Sequence, residues 1–417
     1  MIRLLTALCT SVALASPLPV VTAVPTPTPA PITASTGAGG TGGTVPCPVV
    51  PVPPNPPPPA TPSPLPTHTA GSPVIGGAAM ATTGLAVPAG APPAPTNLSA
   101  TSWVVADLDT GEVLGACAPH AYGAPASLQK LLLAATVLPK LNPAAEVTIT
   151  QEDLNFEPGS SAVGLILGGK YTVEQIWLGL FLNSGNDCAN VLARLGGGDR
   201  GIPGTLADMN AEARRLGALE THAETPSGLD GPGQSTSAYD LALIARADFA
   251  RSDFQTYDST LHAQLPPEPP KDPKGYQIQN DNQLLFQYPG AIGGKTGFTD
   301  IARHTYVGAA KRNGRRLVVT LLGAEHLPIK TWQQGAALLD WGFSVPPGAS
   351  VGRLVDPGEV PATPTPPAPT VAPVVAAVAS NPRPPLFAVV SGGAVGLGAL
   401  LFAAVLLWRR RSRPRAE

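Results

Sequence analysis

Apolar, β-branched runs separated by turn residues predict β-hairpins at both ends of the central part of this chain. The later one, HTYVGAAKRNGRRLVVTLLG, consists of two such runs joined through Asn313-Gly314, a dipeptide typical of a tight hairpin turn. The earlier one, WVVADLDTGEVLGACA, turns at Asp109-Thr110-Gly111.

Helical patterns lie between these hairpins. APASLQKLLLAATVL predicts an apolar helix that opens near Ser127, and TVEQIWLGLFL predicts another whose Thr172 and Gln175 have the spacing of a capping box. TLADMNAEARRLG is amphipathic, and TWQQGAALLDWGF closes the pattern as a last helix. The amphipathic helix places four residues on one apolar face: Leu206, Met209, Ala213 and Leu216. Strands at both ends with helices between them indicate an α/β (α+β) fold, an antiparallel sheet covered by helices.

Composition limits how much of the chain folds in this way. Of 417 residues, 51 are proline and 45 are glycine, and the prolines crowd into residues 24–95 and 346–385. Such segments bury too little apolar surface to offset their ordering entropy, so we expect a disordered arm and a disordered linker there. Residues 96–345 remain as one domain of ordinary size.

The two ends of the chain predict export and anchoring. Residues 1–23 resemble a secretory signal peptide, with one arginine, a short apolar run and small residues. Residues 386–408 are uncharged and apolar over about the length that spans ~30 Å of hydrocarbon, and the arginine-rich residues 409–417 follow. Arginines retained in the cytoplasm would leave the domain outside the cell, on a single-pass anchor in the cell membrane. The net charge of −2 argues against a nucleic-acid partner.

The stretch GAIGGKTGFTD, residues 290–300, has the glycines and lysine of a nucleotide-binding P-loop but not its spacing. A P-loop has four residues between its first glycine and Gly-Lys-Thr, whereas Gly290 and Gly294 have three between them. A hairpin, and not a helix, follows. We therefore exclude a P-loop.

Three short motifs carry candidate chemistry: SLQK at 127–130, SGN at 184–186 and KTG at 295–297. In a helix, Ser127 and Lys130 share a face, and a lysine of lowered pKa can take the proton of a serine nucleophile. The glycine of the second motif lets two short polar side chains project together after an apolar helix. On a strand, a lysine and a threonine at one edge suit a carboxylate, and the glycine lets a substrate backbone lie close.

Ser-x-x-Lys, Ser-x-Asn and Lys-Thr-Gly each occur once, in this order. The trio resembles that of the serine D-alanyl-D-alanine carboxypeptidases, the low-molecular-mass penicillin-binding proteins of the β-lactamase and transpeptidase superfamily. The resemblance spans residues 96–343 and includes TPSGLDGPGQSTSAYDLALIA and NDNQLLFQYPG.

The resemblance implies a role for each motif residue. Ser127 would attack the carbonyl between two terminal D-alanines of a peptidoglycan stem peptide, with Lys130 as general base and Ser184 in the proton relay. The backbone N–H groups of Ser127 and Phe298 would form an oxyanion hole. The substrate-binding residues would be Asn186, Lys295, Thr296, Gly297 and Phe298. β-Lactam antibiotics would act as inhibitors, and no metal or cofactor is implied, since no histidines have the H-x-x-x-H spacing of a zinc peptidase.

Two alternatives remain open. A β-lactamase of this fold needs a glutamate in Glu-x-x-Leu-Asn, which none of the downstream glutamates begins, and it usually has aspartate where this chain has Gly185. A catalytically silent cell-wall tether or scaffold would have the same ends, although the intact motifs argue against it.

Cysteines and aromatic residues add two further expectations. Because the first two motifs converge in the fold that the resemblance implies, a disulfide between Cys117 and Cys188 is plausible in an exported protein, and Cys47 has no evident partner. Four aromatic residues are expected in the core: Tyr171, Trp177, Phe181 and Trp332.

Overall fold

The computed structural model describes residues 44–57, 64–68 and 74–360. The strands are β1 (Leu85–Ala86), β2 (Ser102–Asp107), β3 (Glu112–Cys117), β4 (Glu146–Thr148), β5 (Lys170–Thr172), β6 (His262–Leu265), β7 (Tyr276–Gln279), β8 (Ala291–Thr299), β9 (Arg303–Arg312), β10 (Arg315–Ala324) and β11 (Gly352–Arg353). The α-helices are α1 (Gln129–Val137), α2 (Val173–Leu182), α3 (Asn186–Gly197), α4 (Gly201–Leu216), α5 (Ala238–Phe249), α6 (Ser252–Ser259), α7 (Leu284–Gln287) and α8 (Thr331–Ser344).

The predicted signal peptide (1–23), membrane span (386–408) and basic tail (409–417) lie outside the described residues. Within the described ranges, no helix combines the length and the apolar character needed to cross a bilayer.

The main sheet is antiparallel and, within the described part of the chain, has the strand order β1-β3-β2-β10-β9-β8, with β11 also paired to β3. Both predicted hairpins are confirmed. The β9–β10 turn consists of Asn313 and Gly314, whose φ angles of 48° and 86° are the left-handed values that such a turn requires. The short pairs β4–β5 and β6–β7 form two separate sheets that the sequence patterns did not reveal.

Helices cover the sheet as predicted, α8 on one face and the remaining long helices on the other. The α8 side packs Trp341 edge-on against Trp103 of β2, with ring centroids 6.2 Å apart. On the other side, α1, α2, α3 and α5 bury a larger apolar cluster. The capping box of α2 is present: Thr172 Oγ1 accepts from Gln175 N–H at 3.2 Å, and Gln175 Oε1 accepts from Thr172 N–H at 2.9 Å.

Parts of the described proline-rich arm are attached to the domain, in contrast to the solvated chain that its composition predicts. Leu85 and Ala86 form β1 against the end of β3, and Cys47 is joined to Cys117 by a disulfide. Residues just beyond the predicted domain boundary at 345 form β11, which pairs with the start of β3. Edge pairing and a covalent bond supply the stabilisation that the arm's own composition lacks.

The predicted Cys117–Cys188 disulfide is therefore wrong, as is the expectation that Cys47 has no partner. Cys117 ends β3 in the apolar cluster beneath α8, whereas Cys188 lies in α3, in the cluster on the opposite face of the sheet. Cys188 is a buried free thiol, and burial raises its pKa well above the ordinary value.

Candidate active site

The three sequence motifs meet in one cleft of about 540 Å³ at the β8 edge of the sheet. Residues from all three motifs line it, together with the neighbouring Phe298: Ser127, Ser184, Asn186, Thr296 and Gly297. The two motif lysines lie beneath this surface, Lys130 fully buried and Lys295 only 2% exposed. The structure thus brings every predicted site residue except Cys117 to one place, with Cys188 close behind on α3.

Ser127 stands on a tight turn that leads into α1, and its neighbours fix that turn from two sides. Ala126 has a left-handed φ of 49°, an uncommon conformation for a residue with a side chain. A Cβ on Gly228 would lie 1.7 Å from the Ala126 carbonyl oxygen, so only glycine allows that approach. On the other side, Thr305 Oγ1 donates to the Pro125 carbonyl at 2.9 Å.

Lys130 lies one helical turn after Ser127 and contacts its hydroxyl directly. The Lys130 Nζ atom is 2.9 Å from Ser127 Oγ, 2.8 Å from Asn186 Oδ1 and 2.9 Å from the Ser227 carbonyl oxygen. Burial, followed by the charge of Lys295, lowers the pKa of Lys130 well below its ordinary value. A neutral amine could donate to Asn186 and Ser227 and turn its lone pair toward Ser127, so this pair can activate a serine nucleophile.

The second motif occupies the sharp break between α2 and α3. Ser184 has a left-handed φ of 58°, and its buried Oγ has no hydrogen-bond partner among the described residues. Asn186 opens α3, and its amide is held at both ends: Oδ1 accepts from Lys130, and Nδ2 donates to Ser160 Oγ at 2.9 Å. The hydroxyl of Ser184 is thus available to a bound molecule, while the Asn186 amide has a fixed orientation.

A loop preceding α2 is fastened over this break by Asp187. The carboxylate accepts from the backbone N–H groups of Val163, Gly164 and Leu165 at 3.1, 2.8 and 3.0 Å. In addition, Asn186 N–H donates to the Ser161 carbonyl at 2.9 Å. These bonds bring Ser160 and Ser161 into the cleft, although neither belongs to a motif.

The third motif lies on β8, opposite Ser127. Burial lowers the pKa of Lys295 to about 8, against the opposing effect of the carboxylates Asp281 and Asp258, and its Nζ donates to the Thr296 carbonyl at 2.9 Å. A Cβ on Gly297 would lie 2.4 Å from Thr305 Oγ1 and 3.0 Å from Ser127 N. Glycine is therefore what lets β8 lie directly against the backbone of the serine turn.

Residues outside the motifs complete the cleft, and the sequence patterns did not indicate them. His304 and His326 stack with ring centroids 3.5 Å apart beside Phe298, and burial lowers the pKa of His304 to about 4. Trp332, expected in the core, packs partly buried against the apolar cluster beneath α8 and also lines the cleft at the start of that helix. These side chains reach the site through strand register and helix placement, which short motifs do not encode.

Comparisons with known proteins show the family of this chain. The family model described as D-alanyl-D-alanine carboxypeptidase, peptidase S11, matches residues 89–326. The chain is 46% identical over 276 residues to the D-alanyl-D-alanine carboxypeptidase DacB2 of Mycobacterium tuberculosis, which covers 64% of this chain and 90% of that relative. It is 34% identical to DacD of Salmonella typhimurium, over 60% of this chain and 64% of that relative.

Solved structures show the same fold. A D-alanyl-D-alanine carboxypeptidase from Mycobacterium tuberculosis H37Rv superimposes with a TM-score of 0.60 at 43% identity, covering 64% of this chain and 100% of that one. The Streptomyces K15 DD-transpeptidase gives a TM-score of 0.57 at 28% identity, covering 61% and 100%. By its family match, its relatives and the meeting of its three motifs, the chain belongs to the peptidase S11 family of serine-type D-alanyl-D-alanine carboxypeptidases.

Proposed function

We propose that this enzyme removes the terminal D-alanine from peptidoglycan stem pentapeptides through an acyl-enzyme on Ser127, and that it does so outside the cell while anchored in the membrane. The observation that carries the catalytic part is the 2.9 Å contact between Lys130 Nζ and Ser127 Oγ, made by a fully buried lysine of lowered pKa. No other serine in the cleft contacts a lysine in the described part of the chain.

In the proposed reaction, neutral Lys130 takes the hydroxyl proton as Ser127 Oγ bonds to the carbonyl carbon of the penultimate D-alanine. The oxyanion would accept from the backbone N–H groups of Ser127 and Phe298, and Gly297 supports this because it lets β8 lie close against the serine turn. When the peptide bond breaks, a proton passed through Ser184 would leave with the D-alanine amine. Water would then hydrolyse the ester and restore Ser127.

Substrate recognition would rest on the charge of Lys295 at the carboxyl end of the peptide and on the side-chain amide of Asn186 further along it. Lys295, with a pKa of about 8, is cationic at neutral pH and would attract the terminal carboxylate, to which Thr296 would donate a hydrogen bond. Asn186 would donate to a carbonyl of the peptide stem. A penicillin carries a carboxylate and a reactive carbonyl in similar positions, so we propose that β-lactams acylate Ser127 as inhibitors.

The proposed location rests on the sequence features near the two ends of the chain. Residues 1–23 would direct export, residues 386–408 would span the membrane, and residues 409–417 would remain in the cytoplasm. The part of the linker beyond the described residues, 361–385, would reach roughly 80 Å if extended as polyproline II. Membrane fractionation tests this: a chain truncated after Val360 should become soluble, and its retention in the membrane would contradict the anchor.

The catalytic proposal is tested with the full-length protein and its Ser127→Ala variant on a pentapeptide ending in D-Ala-D-Ala. We expect the wild type to release D-alanine and Ser127→Ala to release it about 10³-fold or more slowly. Ser350→Ala, at an exposed serine, should release D-alanine at the wild-type rate. A fluorescent penicillin should label the wild type and Ser350→Ala but not Ser127→Ala. Undiminished release by Ser127→Ala would overturn the assignment, and rapid penicillin turnover without D-alanine release would indicate a β-lactamase instead.

A further inference from the structure

A buried carboxylate outside the three motifs contacts the strand that bears Lys295. Asp258 lies near the end of α6, and its side chain is fully buried against β8. Its Oδ2 accepts from the backbone N–H of Gly294, the residue immediately before Lys295, at 2.6 Å. Its Oδ1 has no partner among the described residues. The backbone of Asp258 is held by Asn280, whose Nδ2 donates to the Asp258 carbonyl at 3.0 Å.

Two glycines of β8 make room for this carboxylate. A Cβ on Gly293 would lie 2.1 Å from Asp258 Oδ2, so any other residue would collide with it. Gly293 and Gly294 have φ angles of 145° and 139°, values that residues with side chains rarely adopt. The pairing of β8 with β9 shifts register between Ala291 and Gly293, which places a bulge there. The bulge sets the direction in which the next side chain, that of Lys295, leaves the strand.

Several charged or titratable groups face this point from neighbouring elements. Burial raises the pKa of Asp258 to about 7, against the opposing effects of the Gly294 hydrogen bond and of Lys295. Asp248 on α5 and Tyr306 on β9 also face Asp258. Lys295 is faced by Asp258 and by Asp281, which follows β7. The charge of Lys295 in turn lowers the pKa of Lys130.

From this geometry we infer that Asp258 is a positioning residue for substrate recognition: its carboxylate holds the β8 bulge through Gly294 and maintains the positive charge of Lys295. The inference rests on the proposed role of Lys295 in binding the terminal carboxylate of the substrate. It adds a residue from α6, far from every motif in sequence, to the machinery that recognises the substrate.

The substitution Asp258→Asn separates the two parts of this role. An asparagine oxygen can still accept from Gly294 N–H, so the bulge is kept, but the negative charge is lost. Below about pH 6, where Asp258 is largely protonated, Asp258→Asn should match the wild type within about twofold in kcat/KM. Above pH 7 the kcat/KM of the variant should fall before that of the wild type, because Lys295, left with Asp281 as the carboxylate that faces it, loses its proton at a lower pH. We expect the alkaline limb of kcat/KM to move down by about one pH unit, mainly through KM.

Asp258→Ala removes the hydrogen bond as well as the charge, so it should lower kcat/KM by about 10²-fold at every pH. The matched control is Asp248→Asn. Asp248 is a second fully buried aspartate, and neither of its oxygens is bonded within the described structure, so it does not hold β8. Its replacement should leave the alkaline limb where the wild type has it.

Superimposable pH profiles of Asp258→Asn and an active wild type would overturn the inference, as would an equal shift in Asp248→Asn. A wild type that releases no D-alanine would instead contradict the proposed function. If Asp258→Asn does not fold, ¹³C NMR of the wild-type carboxyls decides the matter. Asp258 should lose its proton near pH 7, before Lys295 does, and a carboxyl still protonated at about pH 9 would refute the role of its charge.

Discussion

At the scale of single residues, this site depends on two buried lysines that are given different tasks by their surroundings. Lys130 has three polar partners but no carboxylate within salt-bridge distance in the described structure, so burial and the charge of Lys295 both favour its neutral form. Lys295 is faced by Asp258 and Asp281, which favour its charged form. One lysine can therefore serve as a base while the other remains a cation.

This contrast predicts the pH dependence of the reaction. With neutral Lys130 as the proposed base, kcat/KM should rise as the pH increases through the lowered pKa of Lys130, and it should fall again as Lys295 loses its charge near pH 8. Lys130→Arg keeps a cation that cannot be deprotonated, so we expect a loss of about 10²–10⁴-fold in kcat/KM with no recovery at high pH. Steady-state kinetics across the pH range measures both effects.

The control for this substitution is Lys140→Arg, at a partly exposed lysine that pairs with Asp208 at 2.8 Å. Lys140→Arg should leave the pH profile of kcat/KM unchanged. Substantial activity in Lys130→Arg would show that another group takes the proton of Ser127.

Motif residues were predictable from the sequence because their chemistry depends on local spacing. Ser127 and Lys130 are one helical turn apart, and Ser184 and Asn186 flank one helix break. Asp258 and His304 could not be found in this way. Each owes its place to a neighbouring element, α6 in one case and the pairing of β9 with β8 in the other.

At the scale of elements, the edge strand β3 is covered by two short strands from opposite ends of the folded unit. β1 pairs with its end and β11 with its start, so few of its backbone groups remain open to pairing with another molecule. Helices and hairpins with strong caps and turns were predicted correctly, as α2 and the β9–β10 hairpin show. β1 and β11 were not, because two residues show no periodicity and a proline-rich context argues against strands.

The disulfide that fastens the arm should contribute measurably to stability. It closes a loop of 70 residues between Cys47 and Cys117, for which we expect a loss of about 2–4 kcal/mol in the free energy of unfolding when Cys47 is replaced by serine. Urea unfolding with and without a reductant measures this. Reduction should destabilise the wild type and leave Cys47→Ser unaffected.

Cys188→Ala serves as the control, because it removes a thiol that takes no part in the disulfide. This variant should keep the response to reductant. An equal unfolding midpoint for Cys47→Ser and the wild type would mean that strand pairing alone holds the arm.

At the scale of the whole molecule, the folded unit is larger than the 250-residue segment that composition outlines. Ile75, Met80, Leu354 and Val355, all outside residues 96–345, are buried in the same cluster as the helices that carry the motifs. The boundaries of the domain are set by which residues are buried in its core, and the proline content of the flanking segments did not reveal these residues.

A fragment of residues 96–345 should therefore be less stable than one of residues 44–360, by about 3 kcal/mol or more, and more prone to association. It loses the disulfide, exposes apolar core residues and opens the edge of β3. Calorimetry and size-exclusion chromatography compare the two directly. Equal melting temperatures and equally monodisperse profiles would show that the flanking residues add nothing to the fold.

The points at which the flanking segments join the sheet also bear on how the enzyme can be presented to a large substrate. Cys47 and Gly352 both attach at the β3 edge, while the cleft lies at the β8 edge, four strand spacings or about 19 Å across the sheet. A folded unit fastened at the β3 edge would therefore turn its cleft away from the fastening point. Immobilisation of residues 44–360 on a sensor surface through the end beside Cys47 should leave the cleft accessible even to a polymer too large to pass beneath the protein.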